Sequence, residues 1–148
     1  MRTRWLLPAV AMGLVWAGSL GADLKRAQAE PNLEKRSQLA MDNAMAAYQA
    51  ARSAYDKGDN PQTEAAIAEI MESVDLADTS LRQTGKDPRK SSKWFKRAEM
   101  ETRDLVRKLQ SFQDSMGFDD RPMLDKVKAR VQQVHDDLLL GIMEGKHK

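Results

Sequence analysis

Histidine and carboxylate side chains can together bind a metal ion or relay a proton, and they stand side by side at His135, Asp136 and Asp137. If this stretch is helical, consecutive side chains point about 100° apart, so the three cannot converge on one ion. A metal-binding pair on one helix needs ligands three or four residues apart. At those distances from His135 stand Val131, Gln132, Leu138 and Leu139. We therefore interpret His135 as a residue at the edge of a helical core, with one ring nitrogen towards water.

A site assembled from two helices is the alternative. Met41 lies near the start of the first long helical segment and His135 near the end of the last, so an up-down-up-down bundle places them at similar depth. Methionine and histidine together ligate haem iron in some proteins, and Met45 with Met41 would suit copper(I). Methionine side chains also fill irregular gaps in cores. We expect no metal and no cofactor, and we keep a small haem or copper carrier using Met41, Met45 and His135 as the alternative.

Sequence motifs for catalysis are missing. The chain has no G-x-S-x-G elbow for a nucleophilic serine, no glycine-rich phosphate loop and no H-E-x-x-H zinc motif. It also has no cysteine, which excludes disulfides, iron–sulfur clusters and thiol nucleophiles. We expect this protein not to be an enzyme.

The N-terminus has the composition of an export signal. Arg2 and Arg4 precede the uncharged stretch Trp5–Ala22, and the small residues Ala27 and Ala29 follow it. A basic start, an apolar run and an A-x-A triplet are the parts of a secretory signal peptide. The sequence therefore predicts a signal peptide over residues 1–29 and an exported protein, either periplasmic or secreted.

An uncleaved membrane anchor formed by residues 5–22 is the alternative for this segment. Eighteen residues is at the lower edge of the length that crosses a bilayer as a helix, and the stretch contains Pro8 and three glycines. Lys25 and Arg26 follow the apolar run, on the side where they weaken a positive-inside orientation. In this alternative the membrane is contacted only through the uncleaved N-terminus.

Net charge gives no indication of a nucleic-acid partner. The whole chain has 24 basic and 22 acidic residues, but residues 1–29 contain four of the basic and one of the acidic residues. Residues 30–148 therefore have 20 basic and 21 acidic residues, a net charge near −1. We expect no nucleic-acid binding, and these 119 residues are enough for one domain.

Four segments of this domain have the spacing of amphipathic helices. Glycine and proline cluster at 58–61, 85–88 and 117–122, and between them apolar residues recur at steps of three and four. The spacing predicts helices at about 33–57, 61–84, 92–116 and 121–144. Gly58, Gly85 and Gly117 are expected to end helices in the left-handed conformation. Because such short connections force neighbouring helices to run antiparallel, we predict an all-α, up-down-up-down four-helix bundle over residues 30–148.

The end of the fourth helix carries more apolar side chains than one core face can bury. Leu139, Leu140 and Met143 are the surplus, and they form a candidate interaction patch. Leu24 and Leu33 of the entry segment are the candidates to cover this patch from within the chain. Otherwise we expect it to mediate weak self-association or contact with another protein.

The second candidate surface is the basic segment 86–97, in which only Asp87 is acidic. A helix N-terminus has a partial positive charge, so basic residues there add to a site that can receive an anion. Trp94 and Phe95 cannot both face the core, so one of them is expected beside this charge. The candidate residues are Lys86, Arg89, Lys90, Lys93, Trp94, Lys96 and Arg97. We expect an interaction or structural module that binds an unknown protein or an anionic surface.

Overall fold

The computed structural model of the protein describes residues 20–145, and this part of the chain is all helical, without a strand. It contains α1 (Leu20–Ala29), α2 (Leu33–Asp56), α3 (Asn60–Gln83), α4 (Ser92–Ser115), a 3₁₀ segment (Phe118–Leu124) and α5 (Asp125–Glu144). The predicted all-α class is confirmed. No helix within residues 20–145 is both long and apolar enough to cross a membrane. Residues 1–19 of the predicted signal peptide, which include residues 5–19 of the alternative anchor, lie outside the described residues.

Helix ends follow local chemistry, with two departures from expectation. Gly58 and Gly85 have φ values of 73° and 66°, and the Asp59 side chain caps α3 by accepting the Gln62 N–H at 3.1 Å. Gly117 has φ −56°, so the expectation of a left-handed turn there was wrong. Its N–H instead donates to the Tyr55 hydroxyl at 2.9 Å. The fourth long helix begins at Asp125 rather than at 121, because a 3₁₀ segment that contains Pro122 precedes it.

The N-terminal helix α1 packs against α2 and α3, and none of its Cα atoms lies within 8 Å of a Cα atom in α4 or α5. Its Leu24 and Ala27 side chains are buried, with 6% and 0% of their surface exposed. Leu24 is therefore buried beside α2 and α3 and does not cover the end of α5.

Two antiparallel hairpins make up the rest of the described chain. In the first, Glu34 near the start of α2 pairs with Lys86 just after α3, whereas Asn43 further along α2 donates to Ser73 of α3. Helix α2 carries four fully buried alanines, whose small side chains allow a neighbouring helix to approach closely: Ala40, Ala44, Ala47 and Ala51. In the second hairpin α5 runs back along α4.

The two hairpins lie side by side with corresponding helices parallel. Between α2 and α4, the Tyr48 hydroxyl donates to the Lys108 carbonyl at 3.2 Å, and Phe112 packs edge-on to both Tyr48 and Tyr55. Between α3 and α5, Arg82 near the end of α3 pairs with Asp137, and Arg130 of α5 pairs with Asp75. No Cα atom of α2 lies within 8 Å of a Cα atom in α5, and α3 approaches α4 at few points. This differs from a ring in which each helix packs against the next one in sequence.

Candidate interaction surface

The loop between α3 and α4 is an ordered turn built around Asp87. The Asp87 carboxylate accepts the Arg89 N–H at 2.9 Å, and the Asp87 carbonyl accepts the N–H groups of Lys90 and Ser91 at 3.1 and 2.9 Å. Ser91 precedes α4 but makes no capping hydrogen bond with its side chain, and the first turn of α4 contains no acidic residue. The positive end of the α4 dipole is therefore left without a side-chain acceptor from its own cap.

This turn packs on the end of α5. A Cβ atom built on Gly141 would lie 3.2 Å from Pro88 Cγ, and one built on Gly145 would lie 2.8 Å from Arg89 Cδ. Gly145 also has φ +80°, a conformation that side chains disfavour. These contacts join the predicted basic segment and the predicted apolar patch, which are more than forty residues apart in sequence.

The basic side chains of the segment divide into two groups. Lys86 pairs with Glu34, and Arg97 pairs with Glu101 at 2.9 Å. The other four are exposed and have no acidic side chain within ion-pair distance among residues 20–145: Arg89, Lys90, Lys93 and Lys96. Lys93 lies 5.1 Å from the centre of the Trp94 ring. Trp94 is only half-buried, whereas Phe95 is in the core, so the structure separates these neighbours as expected.

The apolar part of the surface is formed by α5. Leu139, Leu140 and Met143 are 39%, 47% and 68% exposed. Beside them is an open cavity of about 260 Å³, which extends between α3, the Pro88 turn, the start of α4 and α5. Its apolar lining residues are Leu81, Pro88, Phe95, Leu138 and Leu140. We call the four unpaired cations and these three exposed apolar residues the composite surface.

The three residues of the sequence His135-Asp136-Asp137 do not converge on one point. His135 Nε2 lies 2.9 Å from Glu99 Oε1, and Nδ1 lies 3.1 Å from Asp136 Oδ1. Asp137 turns the other way, to Arg82 at 3.2 Å. The expectation that one ring nitrogen faces water was wrong, since both ring nitrogens of His135 lie beside carboxylate oxygens. Hydrogen bonds from the Gln132 amide and from His135 lower the pKa of Asp136.

The alternative metal ligands are not brought together. Met41 is 1% exposed and belongs to the core, and Met45 is half-buried against it. Both lie on α2, and no Cα atom of α2 lies within 8 Å of a Cα atom in α5, the helix that carries His135. Within residues 20–145, no group of three or more histidine or carboxylate side chains is arranged to hold a metal ion.

Sequence reasoning missed two features. One is a buried polar group between α2 and α3, in which Asn43 Nδ2 donates to Ser73 Oγ at 2.8 Å and contacts Glu69 Oε1 at 3.4 Å. The other is a second open cavity of about 310 Å³, lined mainly by apolar residues of α3 and of the start of α5, including Ile67, Met71 and Val127. Both depend on which helices are neighbours, for which the sequence has no local signal.

Comparisons of the chain with protein-family models, with curated proteins and with solved structures return no match.

Proposed function

We propose that this is an exported, non-enzymatic protein whose two helical hairpins form a four-helix bundle and present the composite surface to an anionic partner. The observation that carries the proposal is the contact of the Pro88 turn with Gly141, because it places unpaired cations and exposed leucines at one end of the molecule. The basic start and the apolar run of the first 22 residues support export.

The charge arrangement favours an anion over a neutral partner. Arg89, Lys90, Lys93 and Lys96 have no carboxylate in ion-pair distance within the described range, and they surround a helix start whose dipole adds to their field. The exposed side chains of Leu140 and Met143 would add apolar contact area once the partner is bound. The partner is therefore an anionic surface or an acidic protein with apolar groups near its charges.

The test compares two variants with equal charge. In the first, Arg89, Lys90, Lys93 and Lys96 are all replaced by Gln. In the control, four basic residues far from this end of the molecule are replaced by Gln: Lys57, Arg107, Arg121 and Lys126. Retention on dextran sulfate and sedimentation with phosphatidylglycerol-containing vesicles are measured between about 50 and 200 mM salt.

Wild type and the control variant should bind at low salt and lose affinity as salt rises, because screening weakens exposed charges. The first variant should lose at least tenfold in affinity at low salt, with an unchanged helical circular-dichroism spectrum. Equal binding of the two variants, or no binding by wild type to either anion, contradicts the proposal.

A further inference from the structure

We propose that α1 belongs to the processed protein, and that the export peptidase cleaves within residues 17–22 (Ala-Gly-Ser-Leu-Gly-Ala) rather than after Ala29. This inference rests on the proposed export of the chain. It replaces the A-x-A triplet at Ala27–Ala29 as the cleavage site, and it makes Leu24 and Ala27 parts of the mature core.

Burial is the first argument. Ala27 is fully buried as a member of the main hydrophobic core, and Leu24 is 6% exposed. The remaining side chains between 23 and 29 are exposed: Asp23, Lys25, Arg26, Gln28 and Ala29. The two buried apolar residues are three positions apart, and the charged residues between and around them face outward. This is the pattern of a helix on the surface of a folded domain.

The joint between α1 and α2 is the second argument. The Glu30 N–H donates to the Ala27 carbonyl at 3.1 Å, and Arg36 Nε of α2 donates to the Glu30 carbonyl at 2.8 Å. The Asn32 side chain then caps α2 by accepting the Lys35 N–H at 2.9 Å. The Ala29–Glu30 peptide bond therefore lies inside a hydrogen-bonded corner, and cleavage there would separate α1 from the corner that positions it.

The surface of α2 and α3 that α1 covers also supports the inference. The buried polar group of Asn43, Glu69 and Ser73 lies between α2 and α3, the two helices that α1 contacts. Asp23 of α1 is close enough to contribute to the electrostatic environment of Glu69. Without α1, the surface around Glu69 and the part of the core that Ala27 covers would be open to water.

The anatomy of signal peptides agrees with this placement. Small residues that fit the peptidase normally follow directly after the apolar run. The charged residues Asp23, Lys25 and Arg26 separate Ala27–Ala29 from the run. Residues 17–22 are the end of the run itself and offer Ala17, Ser19 and Ala22 as small side chains. Burial cannot protect a bond that is cut before folding, so the choice of site has to be made by this local sequence.

The experiment is to express the full precursor in an exporting bacterial host and to determine the intact mass and the N-terminal sequence of the exported protein. We expect a mature N-terminus between residues 18 and 23. A mature chain that starts at Glu30 overturns the inference while leaving export in place. Recovery of only the uncleaved 148-residue precursor overturns the proposed signal peptide as well.

Two substitutions make the test independent of one mass measurement. Ala29→Gln changes an exposed residue and should leave processing unchanged, whereas precursor accumulation in this variant would assign cleavage to Ala29 and contradict the inference. Leu24→Ser should lower the Tm of the exported protein by about 5 °C or more, while Gln28→Ser, at an exposed position on the same helix, should not. Equal Tm values for the wild type, Leu24→Ser and Gln28→Ser would show that Leu24 is not part of the mature core.

Discussion

Gly141 of α5 faces the ring of Pro88 so closely that a Cβ atom on Gly141 would lie 3.2 Å from Pro88 Cγ. This contact holds the turn after α3 against the end of α5, and it brings the basic segment and the apolar patch to the same end of the described chain.

Enlarging Gly141 should therefore separate the two parts. Gly141→Ala should stay within about 0.5 kcal/mol of wild type, because the gain of about 1 kcal/mol in helix propensity offsets a small displacement of Pro88. Gly141→Leu should displace the turn and lower affinity for anionic vesicles several-fold, with α-helix content unchanged. Vesicle sedimentation with both variants checks this, and equal affinities for Ala and Leu would contradict it.

Phe112 should be among the most sensitive core positions. Its ring is fully buried, packs edge-on to Tyr48 and Tyr55 at centroid distances of 6.1 and 5.7 Å, and lies beneath the Arg52 guanidinium. Because these contacts join the two hairpins, Phe112→Ala should lower the free energy of unfolding by about 3–5 kcal/mol. Phe118 is 81% exposed, so Phe118→Ala should change it by less than about 0.5 kcal/mol. Urea unfolding of the two variants is the measurement.

Two carboxyl groups should make the fold more stable in mild acid than at neutral pH. Burial raises the pKa of Glu69, helped by the nearby Glu72 and Asp23, and burial also raises the pKa of Glu101. A raised pKa means that the folded state holds the proton more tightly, so this contribution is full below the ordinary value of 4.5 and is lost as pH rises through the raised value. Glu69→Gln should flatten the decline in stability above pH 4.5, measured by urea unfolding at several pH values. A pH profile parallel to that of wild type would argue against this origin.

Exposed apolar residues on α5 should cause weak self-association. Leu140 and Met143 are 47% and 68% exposed, and α1 packs elsewhere, so the described part of the chain does not cover them. Sedimentation at rising concentration should show a shift towards dimer at high micromolar levels, which Leu140→Lys abolishes. A wild type that remains monomeric throughout, or a Leu140→Lys variant that associates equally, would contradict this prediction.

Local sequence was enough to locate most helices. The observed ends of α2, α3 and α4 lie within one residue of the predicted ones, because a helix depends on contacts between residues three or four apart and on caps such as Asp59. The excess of apolar residues at the end of α5 and the excess of basic residues in the 86–97 segment could also be read from composition alone.

Only the tertiary structure decided which of these elements are neighbours. Parallel packing of the hairpins separates Met41 from His135 and gives His135 a carboxylate partner, Glu99, that lies 36 residues away. The incorporation of α1 and the contact of Pro88 with Gly141 have the same origin. Apolar periodicity shows that a helix has a face to bury. Which neighbouring helix buries that face depends on the shapes of both faces, for example on the small buried alanines of α2.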